Sequence, residues 1–184
     1  MVRQRTAFIG LGSNLGDRRN HLERALHRLG GEGLQLRRVS SLYESAAQGP
    51  VLDQPPFYNA VVEVATALPP MDLLHRCLEL ELELGRRRLL PKGPRTIDLD
   101  LLLMEDEVLG DAQLTVPHPE LVHRAFALIP LLELCPMTID PRDGTLLCRH
   151  AGPLLRAQLM VRLGSLPAYP ARTRLPNHHF TRAA

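Results

Sequence analysis

The chain reads as an α+β domain, and three observations predict it. Two segments carry apolar residues at the helical 3.6-residue period, Arg18–Leu29 and Met71–Leu84. Four segments carry strand-like alternation or Val-rich runs, Thr6–Gly12, Leu34–Tyr43, Asn59–Ala67 and Gly93–Met104. Their order is β-α-β-β-α-β, with helical patterns following. That order predicts a ferredoxin-like antiparallel sheet with its helices on one face and C-terminal helical additions. Such a sheet leaves its other face free for ligands and their loops.

Each element has a local cause. TAFIGLG is a short apolar run suited to a central strand. Asp17 is a helix N-cap candidate, Leu22, Ala25, Leu26 and Leu29 repeat at i, i+3, i+4, i+7, and Gly30-Gly31 ends the helix. The run GLGSNLG lacks the Gly-Lys-Ser/Thr ending of a P-loop and reads as a tight strand-to-helix turn. Residues 44–56 form a loop without periodicity, a length that is often functional. Pro69-Pro70 opens the second helix, whose core stripe is Leu73, Leu74, Cys77, Leu78 and Leu84. Glu79, Glu81 and Glu83 read as a mainly solvated face, with Glu81 left open to a further role. Arg86–Lys92 reads as a mobile loop, and Glu105–Gly110 as a solvated acidic turn. Two prolines hold His118 in a rigid segment, Glu120–Leu134 reads as two helical pieces broken at Pro130, and Gly152–Leu163 as a short helix. One domain over residues 1–163 is expected, then a Pro- and Arg-containing tail over 164–184.

Composition excludes several classes. With 184 residues and 45% hydrophobic content, the chain can bury a core without tryptophan. The net charge is +2, yet residues 150–184 hold five arginines and no acid, leaving 17 basic and 20 acidic side chains before them, a net of −3. A nucleic-acid-binding domain shows the opposite balance. Three cysteines, Cys77, Cys135 and Cys148, form neither a disulfide framework nor a zinc pattern and fit a reducing compartment. No apolar run reaches membrane-spanning length, and the first ends by Ser13-Asn14, too early for a signal peptide. A cytoplasmic protein that touches neither nucleic acid nor membrane is expected.

The chemistry concentrates in Gly93–Met104, GPRTIDLDLLLM. Ile97, Leu99, Leu101 and Leu103 fall on one parity, Asp98 and Asp100 on the other. Two residues of strand place the two acids ~6.6 Å apart on one face. At that spacing they can converge on one divalent metal or on a pair ~3.5–4 Å apart. Arg86, Arg87, Arg88, Lys92 and Arg95 put five cations within ten residues, and Lys92 is the only lysine. A bare D-x-D is usually a solvated strand face. Beside so many cations it suggests a polyphosphate held with Mg²⁺, which prefers carboxylate and phosphate oxygens.

The motifs G-S-N-L-G at 12–16, Y-x-S, Q-P-x-F-Y-N-A, G-R-x-R at 85–88, G-P-R-T-I-D-L-D at 93–100, V-P-H-P and R-A-F at 116–126 follow one another in fixed order. In these blocks, from residue 12 to about residue 148, the chain resembles the 6-hydroxymethyl-7,8-dihydropterin pyrophosphokinases. The resemblance implies transfer of the β,γ-diphosphate of ATP to the pterin hydroxymethyl oxygen, with release of AMP, by a monomer using two Mg²⁺ ions. It implies that Asp98 and Asp100 hold the metal and that Arg86 and Arg95 sit on the transferring group. Leu74, Glu81, Arg86, Arg88, Leu101, Thr115, His118 and Arg124 would serve ATP. Ser45, Ala46, Gln48, Phe57, Asn59, Asp98 and Phe126 would serve the pterin, Asn59 bonding the ring between Phe57 and Phe126. Lys92 departs from the aromatic that many members carry before Gly-Pro-Arg, the cationic loop looks short, and Leu78 stands where some relatives are polar.

Two rival readings share the fold. A nucleic-acid-binding module is disfavoured by the body's charge and by the exposed carboxylate pair. A nucleotide-binding relative without turnover is disfavoured because Asp98, Asp100, Arg86 and Arg95 are all present.

Overall fold

The computed structural model describes residues 3–31, 33–48, 51, 53–86 and 93–166. Strand β1 (Arg5–Ser13) leads into helix α1 (Arg18–Leu29), then β2 (Leu34–Val39), β3 (Ser41–Ser45) and β4 (Phe57–Thr66). Helix α2 (Pro70–Glu83) and strand β5 (Asp98–Met104) complete the expected unit. A small hairpin, β6 (Leu109–Gly110) with β7 (Thr115–Val116), precedes α3 (Ala125–Leu134), α4 (Ala151–Ala157) and β8 (Met160–Ser165). The main sheet runs β5-β1-β4-β3-β8, with β2 also on β4, and every pairing is antiparallel. This is the split-βαβ order that the sequence predicts.

The two faces of the sheet are covered differently. On one, α1 and α2 bury Leu22, Leu26, Leu29, Leu73, Cys77 and Leu80 against Ala7, Ile9, Leu11, Val62, Val64, Leu99 and Leu101. Each such leucine contributes about 1.5–3 kcal/mol by leaving water. Asp17 caps α1 by accepting from Asn20 N at 3.1 Å, and Pro70 sits in the first turn of α2, where its missing N–H costs nothing. On the other face, α3 covers Phe8, Val61, Leu102 and Leu103. It covers only part of that face. Gly10, Gly12, Phe57, Asn59, Asp98 and Asp100 share this side and remain as an open floor.

Several expectations need correction. The single strand expected over Leu34–Tyr43 is divided at Ser40, whose hydroxyl accepts from Val61 N at 2.9 Å within the ladder. The strict alternation of β5 fails after Leu101. Ile9 pairs with Leu101 but Phe8 with Leu103, so Leu102 is an extra residue and a β-bulge turns Leu103 to the α3 side. Leu80 belongs to the α2 core stripe, whereas Leu74 and Leu78 are half-buried beside the open floor, and Glu81 is buried rather than solvated. Helix α3 runs unbroken through Pro130, and the break falls earlier, at Arg124, which is extended at φ −120°, ψ 108°. Only one intrahelical bond is forfeited by that proline, the one to the Phe126 carbonyl. The helix expected over Gly152–Leu163 stops at Ala157, and Met160–Ser165 is strand β8, paired with β3 across residue 163. Its residues alternate weakly, so their strand character comes from the exposed edge of β3 rather than from periodicity. Cys77 is buried, Cys135 half-buried and Cys148 exposed, and all three are free thiols. No helix among the described residues is long and apolar enough to cross a membrane.

Candidate active site

The open floor is the base of a cavity of about 680 Å³. Gly10 and Gly12 lie in β1 with no side chain to fill it. A Cβ at Gly12 would come within 3.7 Å of Asn59 Oδ1, Asp98 Cβ and Phe57 Cδ1 alike, so these three groups converge on one point. The turn proper is Asn14–Asp17, with Gly16 at φ +61°. A glycine pair two apart in a buried strand is the signal that could have revealed the floor.

One end of the cavity is ionic. Glu81 on α2 reaches under β5 and accepts from Leu99 N at 2.7 Å. Arg86, just past α2, pairs with Glu81 and lies 2.6 Å from Asp98 Oδ1. Arg95 Nε is 3.1 Å from Asp98 Oδ2, an ion pair without hydrogen-bond alignment. Burial pushes the Glu81 carboxyl up, opposed by the Leu99 N–H and by Arg86. Burial works against the Arg86 charge, but Asp98 and Glu81 more than offset it and raise its pKa. Asp100 is pushed up to about 7 by burial and by Asp98 beside it, against the pull of Arg95 and Arg124. Two carboxylates crowded this way favour a bound cation.

His118 enters from the segment after β7. The Val116–Pro117 bond is cis, and His118 N donates to Leu102 O at 2.8 Å. Its Nδ1 accepts from Glu120 N at 3.1 Å, which assigns the proton of the neutral ring to Nε2. Burial, then Arg124, lowers the His118 pKa and keeps the ring neutral.

The other end is flat and aromatic. Phe57 on β4 lies under the Arg95 guanidinium, 5.2 Å from its ring centre, and Phe126 on α3 has Arg124 at 5.8 Å. Asn59, buried at 3% exposure, donates through Nδ2 to Ser45 Oγ at 3.0 Å and to Phe57 O at 3.3 Å. Asn14 ties the segment before β5 in place. Its side-chain carbonyl accepts from Arg95 N at 2.7 Å, and its amide donates to Gln54 Oε1 at 3.0 Å and Pro55 O at 3.2 Å.

Ser45, Ala46, Gln48, Phe57, Asn59, Leu74, Glu81, Arg86, Arg95, Asp98, Asp100, His118, Arg124 and Phe126 all line this cavity. Leu101 does not. It packs in the core under α1 and α2. Thr115 sits in β7, outside the lining. Arg88, Lys92 and the cation-bearing loop fall in residues 87–92, outside the described residues. Sequence reasoning did not assign Gly10, Gly12, Leu102, Gln113 or Ala127 to the lining. Among the described residues no group of three or more His, Cys, Asp or Glu side chains could hold a metal unaided. A cation at Asp98 and Asp100 would take its remaining ligands from phosphate and water, as Mg²⁺ commonly does.

Comparison with known proteins identifies the family. A family model described as 7,8-dihydro-6-hydroxymethylpterin-pyrophosphokinase (HPPK) matches residues 8–136. A Pseudomonas aeruginosa protein named 2-amino-4-hydroxy-6-hydroxymethyldihydropteridine pyrophosphokinase is 44% identical over 153 residues, covering 82% of this chain and 90% of its own. A Synechocystis protein of the same name is 42% identical over 139 residues, covering 75% of this chain and 70% of its own. Among solved structures, Plasmodium falciparum wild-type HPPK-DHPS with pteroate aligns at a TM-score of 0.70 and 15% identity, over 84% of this chain. The alignment spans 45% of that longer chain, and at this identity it speaks for the fold alone. On the family model and these relatives together, the chain belongs to the 7,8-dihydro-6-hydroxymethylpterin-pyrophosphokinase family.

Proposed function

We infer that this chain transfers the β,γ-diphosphate of ATP to the hydroxymethyl oxygen of 6-hydroxymethyl-7,8-dihydropterin, a step of folate biosynthesis, and releases AMP. The observation that carries the reading is the convergence at Gly12. The carboxylate that begins the ionic end, Asp98, adjoins the amide and ring that begin the aromatic end, Asn59 and Phe57. A heteroaromatic acceptor in the slot therefore presents its hydroxymethyl arm to the ionic end.

In the reaction the hydroxymethyl oxygen attacks the β-phosphorus, the bond from that phosphorus to the α-phosphate oxygen breaks, and the hydroxyl proton passes to solvent. Asp98 and Asp100 are the residues that would hold magnesium, in our reading two ions. Magnesium, when bound, neutralises the oxygens of the diphosphate being transferred. Arg86 and Arg95 are held on Asp98 and Glu81 and can be handed to phosphate oxygens, which accept both prongs of a guanidinium. His118 Nε2–H and Arg124 donate to the phosphate chain from the opposite wall. Phe57 and Phe126 sandwich the pterin while Asn59 and the Ser45–Gln48 segment read its polar edge. Such positioning and charge neutralisation carry most of the catalysis of phosphoryl-type transfer. The reading includes a monomer working in the cytoplasm, without nucleic acid or membrane.

AMP release from ATP tests this, with pterin and Mg²⁺ supplied together and each omitted in turn. AMP that requires all three components is the expected result. ADP in its place would mean ordinary kinase chemistry, and no nucleotide turnover would reject the reading.

A further inference from the structure

Gln158 joins two walls of the cavity from a segment beyond the residues that the family model matches. It lies between α4 and β8. Its side-chain carbonyl accepts from Gln48 Nε2 at 2.5 Å and from Ala125 N at 2.8 Å, and its amide donates to His123 O at 2.8 Å. Ala125 opens α3, where the residue before it, Arg124, offers no capping hydrogen bond. Gln158 thus caps α3 from a distance, satisfying an N–H that the helix itself leaves orphaned. Two residues on, Met160 pairs with Ser45 in the β3–β8 ladder.

The C-terminal segment therefore grips the 45–48 segment at both ends, by ladder pairing at Ser45 and by the amide contact at Gln48. Through the same amide it grips the first turn of α3, which carries Phe126. We infer that Gln158 is a positioning residue for pterin binding, setting the gap between the edge-reading segment 45–48 and the Phe126 ring. A planar ligand is sensitive to this gap. A slot opened by a fraction of an ångström loses stacking on one face and hydrogen bonding at the edge together. The ionic end rests on α2 and β5, which Gln158 does not touch; of the residues that serve ATP only Arg124 lies beside its contacts, between His123 and Ala125, so the effect on ATP is the smaller one.

The inference rests on the pyrophosphokinase reading, and its test separates the two. Steady-state kinetics are measured for the wild type, Gln158→Ala and Gln158→Met, each with pterin varied at saturating ATP and the reverse, alongside thermal unfolding. Methionine keeps the length and removes the hydrogen bonds. The expected result is a rise of about five- to tenfold in KM for the pterin in both variants, the loss from one hydrogen-bonded hub. KM for ATP should stay within about twofold and Tm within a few degrees, as for a single partly exposed contact. Unchanged pterin KM in both variants, a wild-type value in Gln158→Met alone, or parallel rises for both substrates would overturn the positioning role. Failure of the wild type to release AMP would instead remove the pyrophosphokinase reading.

Discussion

Two acid–arginine clusters lie on the same face of the sheet, and they are built to opposite ends. Beside α3, Glu133 accepts from Ser41 Oγ at 2.7 Å, from Tyr43 OH at 2.8 Å and from Ser41 N at 3.1 Å, while Arg162 of β8 lies 3.7 Å away. One carboxylate meets one guanidinium, and Arg162 Nε also donates to Ser41 Oγ at 2.8 Å. In the cavity, three carboxylates, Glu81, Asp98 and Asp100, face Arg86 and Arg95, and Arg86 Nε finds no hydrogen-bond partner among the described residues. The first cluster is satisfied and joins α3 and β8 to the sheet. The second crowds Asp98 and Asp100 side by side and leaves an idle donor at Arg86 Nε, a state that a cation and a phosphate chain would relieve. Crowded like charge and an unused donor distinguish a place for ligand from a structural joint, although the residue types are the same.

The strongest way to break this contrast is to remove a cavity acid. Asp98→Ala and Asp100→Ala should lower AMP release on the order of 10³-fold, the scale of lost metal-assisted charge stabilisation. Asp100→Ala should keep or raise Tm without ligands, since a crowded carboxylate has gone, whereas Asp98→Ala also loses the ion pairs to Arg86 and Arg95. A Tm well below wild type in Asp100→Ala would mean that the cavity cluster is structural after all. Arg95→Ala comes next, with kcat falling about 10²–10³-fold, as when a preorganised donor is deleted. Titration of ATP binding separates a lost chemical role from simple loss of affinity.

Glu133→Ala sharpens the other side. Urea unfolding should show a loss of about 1–3 kcal/mol, because Ser41 and Tyr43 are left unpaired, with kcat within about threefold of wild type. The smallest effect is the alkaline behaviour of Tyr43. Burial, followed by its bond to Glu133, pushes the phenol up to about 12 from 10.0. The stability it contributes is complete below pH 10 and is lost as pH rises toward 12. Tyr43→Phe lacks that loss, so the stability gap between wild type and variant should narrow between pH 8 and pH 11 in unfolding titrations. The Glu133 carboxyl is shifted the other way. Burial raises it, but the Ser41 and Tyr43 hydrogen bonds outweigh this and lower it. Its contribution is present above the ordinary glutamate range and fades as pH falls below it.

The site was more legible than the frame around it. Asp98 and Asp100 announce themselves because period-two spacing puts both on one strand face, and neighbouring Arg86 and Arg95 supply the opposite charge. Asn59, Phe57 and Phe126 came from the family resemblance, since nothing in their local pattern says that two strands and a helix bring them together. Gly10 and Gly12 were legible only as a turn, because a glycine's use as empty floor depends on which residues flank it in space. Strand β8 and Gln158 carried no signal. Their roles come from pairing with β3 and from an orphaned N–H at the start of α3.

By itself the sequence determined the order of the elements through β5, the cap at Asp17, the apolar stripe of α1 and the pairing of two acids with a cluster of cations. These follow from periodicity and local chemistry, which act over a few residues. Only the tertiary structure decided where β5 bulges, that α3 passes through Pro130, that part of one sheet face stays open, and that Glu81 is buried beneath the site. Each of these is a balance between burial, hydrogen bonding and space among segments distant in the chain, which no local pattern encodes.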